Sequence, residues 1–136
     1  MEVFLLVNTV FLVSATGYGW LAGSRLDREG VLWIAGAIIA TFVTQVFVPA
    51  GSIHFTIMII DVALFAAITS VALRSDRYWP TWFAGFQMTA VLCYAFIGAG
   101  LDTKLIQSIM GFWATAALLA MVIGLYRDGR SGAFSR

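Results

Sequence analysis

The chain has 136 residues, of which 61% are hydrophobic and 11% charged. A soluble domain is close to half apolar and about a quarter charged. This chain therefore has too few polar side chains to cover a surface that faces water. Lipid must therefore surround most of the exterior, and the length suits one compact domain. The net charge of +1 gives no sign of nucleic-acid binding.

Five stretches are long and apolar enough to cross a bilayer, which takes roughly 20 residues. In chain order they are Val3–Ala22, Val31–Val48, Ile53–Leu73, Tyr78–Gly100 and Leu105–Tyr126. We predict an all-α integral membrane bundle of five transmembrane helices over residues 1–126, followed by a short basic cytoplasmic tail, 127–136. A four-helix alternative would need one helix from Tyr78 to Tyr126, which is far longer than a bilayer is thick.

The first stretch is interpreted as a retained helix. A signal peptide begins with a basic region, and here only Met1 and Glu2 precede the apolar run. The possible cleavage sequence Val13-Ser14-Ala15 lies inside an apolar stretch that continues to Ala22.

The basic residues indicate how the bundle is oriented, because Lys and Arg accumulate on the cytoplasmic side of a membrane. An N-terminus outside and a C-terminus in the cytoplasm place Lys104 outside and all seven arginines inside. These are Arg25, Arg28, Arg74, Arg77, Arg127, Arg130 and Arg136. The bias also argues against dual topology.

The aromatic residues also cluster near the predicted cytoplasmic boundary of the membrane. Trp and Tyr favour the headgroup region, and six of them fall near the predicted cytoplasmic boundary: Trp20, Trp33, Tyr78, Trp79, Trp82 and Tyr126. We expect Trp20, Trp33, Trp79, Trp82, Arg74 and Arg77 to anchor the bundle at the headgroups. A docking surface for a protein or an anionic lipid is the alternative interpretation of this rim.

Asp61 is the one acid deep in an apolar stretch. A carboxylate there costs roughly 2.5–3.5 kcal/mol on insertion scales, and no Lys or Arg lies within the five stretches. Counting from the connections places Thr41 and Gln87 near the depth of Asp61, and His54 on nearly the same face of its helix about 10 Å further out. A polar seam is therefore possible, formed by Thr41, Gln45, His54, Asp61 and Gln87. Asn8 and Gln107 would extend it towards the outside.

Two interpretations of this polar seam remain open. Asp61 is either a proton or cation site with His54 as an outer relay, or a buried acid whose hydrogen bonds fix helix packing. His54 and Cys93 are the single histidine and cysteine, so we expect no metal site, haem or disulfide. No catalytic motif is found, and we expect no enzyme activity and no cofactor.

Small residues at four-residue spacing allow helices to approach closely. Gly19 and Gly23 form one pair and Gly36 and Ala40 another, while α-helical spacing aligns a longer stripe of Ala116, Ala120 and Gly124. These residues pack either inside the bundle or against a second subunit.

The segment Ala72–Gln87, ALRSDRYWPTWFAGFQ, resembles one shared by uncharacterised small polytopic membrane proteins of alphaproteobacteria, especially sphingomonads. The resemblance covers roughly the second half of the chain, including the surroundings of Asp61. It implies a bacterial inner membrane and supplies no activity. Related chains often carry His after the Gly-Phe pair where this chain has Gln87, which weakens a proton relay that uses a second histidine.

These observations favour a non-enzymatic accessory or scaffold subunit. Its partners would be the lipid bilayer and other membrane subunits or further copies of itself, with no nucleic acid. The alternative is a small proton- or cation-coupled transporter or channel that uses Asp61.

Overall fold

A computed structural model describes residues 2–100 and 102–130 and contains five α-helices in that part of the chain. They are α1 (Glu2–Ala22), α2 (Arg25–Phe47), α3 (Ala50–Arg74), α4 (Tyr78–Gly98) and α5 (Thr103–Arg130). The connections are only two to four residues long, so consecutive helices run in opposite directions.

Within the described residues, four helices are long and apolar enough to cross a membrane, namely α2, α3, α4 and α5. The all-helical membrane bundle predicted from the sequence is therefore confirmed at that level. The count of five spans, which adds α1, stays a prediction, as does the orientation.

The helices form a closed ring in chain order. Each packs against its neighbours in the sequence, and α1 closes the ring by packing against α5 as well as α2. Because the directions alternate, five termini meet at each end. We call the end that carries Arg25, Arg28, Arg74, Arg77 and Arg127 the basic end, and the opposite one, with Pro49 and Lys104, the bare end.

Helix α2 begins six residues earlier than the sequence analysis predicted, at Arg25 instead of Val31. Ser24 caps it, since the Asp27 N–H donates to Ser24 Oγ (3.4 Å) and the Ser24 N–H donates to Asp27 Oδ2 (2.7 Å). This reciprocal capping box satisfies two backbone donors that a helix start leaves free. Most of the charged segment between the first two predicted stretches thus forms the first two turns of α2.

At the other helix ends the differences are smaller. Helix α5 continues to Arg130 and so includes the first four residues predicted to form the tail; residues 131–136 lie outside the described part. Helix α4 ends at Gly98, and Gly100 follows with φ of 85°, a left-handed conformation that favours glycine after a helix.

The apolar core lies in the half of the ring nearer the basic end, and every helix contributes to it. Its central members are Ala15, Val31, Ile34, Ile68, Trp79, Phe83, Met121 and Leu125. Trp79, Ile68, Met121 and Leu125 are all at most 1% exposed. The ring is therefore filled by side chains at this level.

Candidate functional site

Asp27 is the centre of a buried polar cluster at the basic end. Its side chain is 1% exposed, and each carboxylate oxygen is engaged. The Trp79 indole N–H donates to Oδ1 (2.7 Å), while Oδ2 accepts from the Ser24 N–H and lies 3.2 Å from Arg77 Nη1. Since α2 and α4 are not neighbours in the ring, Asp27 connects two helices across its interior.

Trp79 was predicted to anchor the bundle at the headgroups, and that prediction is wrong. Only 1% of the residue is exposed, because its ring crosses the bundle towards Asp27. Two glycines make the room: a Cβ on Gly30 would lie 2.7 Å from the indole Cη2, and one on Gly124 would lie 2.4 Å from Trp79 Cβ. Trp79 thus places its indole N–H in a hydrogen bond inside the bundle and not at the membrane interface.

The other expected anchors differ in their surroundings. Trp20, Trp33 and Trp82 are about half exposed or more, as an anchor requires. Arg74 is exposed and pairs with Glu29, an interaction of little expected stability. Arg77 is only 11% exposed and faces Asp27, so it is part of the buried cluster instead of a headgroup contact.

Asp61 lies near the middle of α3, eleven residues after Ala50 and thirteen before Arg74. Both of its oxygens accept hydrogen bonds from α4. Gln87 Nε2 donates to Oδ1 (3.1 Å), and the Tyr94 hydroxyl donates to Oδ2 (2.5 Å). The expected proximity of Asp61 and Gln87 is thus confirmed, and Tyr94 is a further partner that was not predicted.

The rest of the predicted polar seam does not join Asp61. His54 and Gln45 are exposed near the bare end, and Thr41 is half-buried. Among the described residues, the hydrogen bonds to Asp61 come from Gln87 and Tyr94 alone. The side chains of Asn8 and Gln107 lie outside the described part. An outer relay through His54 therefore has no support in the arrangement of the described side chains.

The donors to Asp61 are both neutral. A carboxyl group held in this way can join two helices, and its contact with a phenol also gives it a partner with which to share a proton. Hydrogen bonds between membrane helices contribute on average about 0.6 kcal/mol each, so two of them offset only part of the roughly 2.5–3.5 kcal/mol cost of burying the acid. A protonated carboxyl would reduce that cost.

The small-residue pairs serve different purposes. Gly19 lets α1 approach α2 and α5 closely, since a Cβ there would lie 2.7 Å from Val31 and 3.0 Å from Met121. A Cβ on Gly23 would lie 2.2 Å from the Gly19 carbonyl oxygen and 2.7 Å from Asp27 Cβ. Gly36, in contrast, is exposed, with nothing within 4 Å of a Cβ.

The longer stripe lies between α4 and α5. Gly124 packs against Trp79 and, together with Ala116 and Ala120, lines an open groove with a cavity volume of about 870 Å³. Trp82 and Phe86 line the groove from α4, and Arg127 lies at its basic end. All three residues of the stripe thus lie along the groove, and Gly124 also makes room for Trp79.

The residues that sequence analysis missed carried weak signals. The spacing of Ser24 and Asp27 is that of a capping box, with Asp in place of the usual Glu or Gln. Tyr94 is seven residues after Gln87, two helical turns on the same face of α4, so a partner for Asp61 could have been sought there.

A helical membrane protein is the class that these elements define. Comparison with protein-family models, curated proteins and solved structures gives no match. The function must therefore be inferred from the chain itself.

Proposed function

We propose that this chain is a non-enzymatic accessory or scaffold subunit of a bacterial cytoplasmic membrane, in which five spans run from an outside N-terminus to a cytoplasmic C-terminus. It assembles with itself or with a larger membrane complex. The observation that carries the proposal is the complete use of Asp61 in helix packing, because both of its oxygens bind donors on α4. The resemblance around Ala72–Gln87 supports the choice of membrane.

Short connections support a role that needs no extramembrane machinery. The connections between the helices are two to four residues long, which is too short for any of them to form a catalytic or ligand-binding domain. Seven arginines against one lysine support the orientation.

An outward face of α2 supplies the surface for assembly. Leu32, Gly36, Ile39 and Val43 are all exposed and recur at helical spacing. No described atom would lie within 4 Å of a Cβ on Gly36. A helix from another subunit can approach the α2 backbone closely there, as small residues allow in membranes.

Crosslinking in the native membrane, followed by mild extraction and mass measurement, tests the assembly. We expect a discrete species heavier than the 14.8 kDa chain, and its loss in Gly36→Leu. Gly17→Leu is the matched control, because Gly17 is also exposed with open space around it. A species that stays at the mass of one chain before and after extraction would contradict assembly.

A second candidate function is proton-coupled transport, favoured by the contact between Tyr94 and Asp61 near the middle of α3. A carboxyl and a phenol in contact within a membrane can hold and pass on a proton. The two functions differ in what Asp61→Asn removes: a transporter loses flux, whereas a scaffold loses at most some stability.

A further inference from the structure

The groove between α4 and α5 is open and reaches the basic end. Its volume of about 870 Å³ lies within the roughly 300–1,000 Å³ typical of small-molecule sites. Ala116 and Ala120 lie on the α5 side and Trp82 and Phe86 on the α4 side. A groove lined by small and aromatic side chains can accommodate a hydrocarbon chain.

The length of the groove matches one leaflet. Along α5 it extends from Ala116 to Arg127, and a rise of 1.5 Å per residue makes this roughly 16 Å. Half of a hydrocarbon core that is ~30 Å thick is about 15 Å. An occupant that fills the groove therefore reaches from the headgroups to the bilayer centre, as a lipid of that leaflet does and a spanning helix does not.

The positive charge at the basic end of the groove favours a lipid with an anionic headgroup. Arg127 and Tyr78 are exposed where the groove reaches the basic end. Three other arginines at this end are engaged: Arg28 with Trp20, Arg74 with Glu29 and Arg77 with Asp27. Among the described residues Arg127 has no ion pair, so its guanidinium is available to a phosphate, which it can bind with two parallel hydrogen bonds.

A second copy fits the groove less well. If two chains met at this face about a two-fold axis along the membrane normal, their Arg127 side chains would approach each other. Like charges brought together in this way oppose association. An anionic lipid instead brings the complementary charge.

We propose that the α4–α5 groove binds one anionic phospholipid from the leaflet at the basic end. One of its two acyl chains lies along Ala116 and Ala120 against Trp82 and Phe86, and its phosphate lies at Arg127. The site is independent of the proposed assembly through α2.

Native mass spectrometry tests the site, with purified full-length chain titrated with phosphatidylglycerol or phosphatidylcholine of the same acyl chains. We expect one phosphatidylglycerol to be retained in preference to phosphatidylcholine. Arg127→Gln should reduce that preference about fivefold, the effect of one basic residue near an anionic surface. Arg25→Gln, an exposed arginine at the same end, should leave it unchanged.

A second pair of variants tests the groove itself. Ala120→Leu fills the groove and should abolish retention of the bound lipid. Ala114→Leu, at an exposed position on the same helix, should not change lipid retention. Unchanged thermal unfolding of the variants shows that the fold is kept. Equal lipid retention by all four variants and the native chain would overturn the proposal, as would a dimer that only Ala120→Leu dissociates.

Discussion

Asp27 and Asp61 are two buried acids of one bundle, and they are stabilised in different ways. Asp27 lies at the basic end and has a charged partner, Arg77, together with the Trp79 indole and a backbone N–H. Asp61 lies near the middle of α3 and has two neutral donors, both on α4.

The difference shows that position along the helix decides which partner an acid can have. Arg77 lies in the connection before α4, where a guanidinium can remain close to the headgroups while it meets Asp27. No described arginine or lysine lies at the level of Asp61, so only amide and hydroxyl donors are within reach. Asp27 therefore fixes a helix start and a crossing of the ring, whereas Asp61 fixes the pairing of α3 with α4.

The largest effect is expected from Asp27→Ala. This change removes the carboxylate that faces the guanidinium of Arg77 and accepts from the indole N–H of Trp79. Breaking a buried pair in this way costs about 3–5 kcal/mol. The free energy of unfolding in detergent, measured by SDS titration, should fall accordingly.

Asp76→Ala is the control for that change. Asp76 is exposed in the connection at the same end, and its side chain forms no hydrogen bond or ion pair within the described residues, so the free energy of unfolding should hardly change. Equal losses for the two variants would mean that the Asp27 cluster contributes no specific stability.

Gly124→Ala tests the placement of Trp79 beside Asp27. The added Cβ would lie 2.4 Å from Trp79 Cβ and 3.2 Å from its Cα, so α4 and α5 must separate. Overpacking of this kind costs about 1–3 kcal/mol. Gly85→Ala, where nothing lies within 4 Å, should leave unfolding unchanged or slightly harder, and the prediction fails if Gly124→Ala behaves likewise.

Tyr94→Phe should have a smaller effect, because it removes one hydrogen bond to Asp61 and keeps the ring. Such bonds contribute on average about 0.6 kcal/mol and at most about 1.7 kcal/mol in membrane proteins. Tyr18→Phe, at an exposed tyrosine on α1, is the reference. If Asp61→Ala is already present, Tyr94→Phe should cost less; an undiminished cost would show that the two side chains act separately.

Hydropathy alone was enough to predict the helices, because lipid requires long apolar stretches with satisfied backbones. The rotation of each helix about its axis was not available from composition. Trp79 lies at the depth expected of an anchor, yet it points inward, and only the packing of Gly30 and Gly124 against it shows why.

The surroundings of Asp61 were predicted only in part, because depth along a helix can be counted from the sequence and rotation about its axis cannot. Counting residues from short connections gave the depths of Asp61 and Gln87 correctly, since connections fix depth. It could not show that His54 and Gln45 are exposed, which depends on the faces that α2 and α3 turn to each other. The Asp27 cluster was missed because Ser24, Asp27 and Arg77 lie between the stretches predicted to be helices, and because Trp79 was expected at the headgroups.

Proton flux into liposomes tests most directly whether Asp61 joins helices or carries protons. The native chain, Asp61→Asn and the control Asp76→Asn are reconstituted separately, and a pH-sensitive dye reports the decay of an imposed pH gradient. Our account predicts decay no faster than in protein-free liposomes for all three proteins. Faster decay that Asp61→Asn abolishes and Asp76→Asn preserves would contradict it and establish Asp61 as a proton carrier.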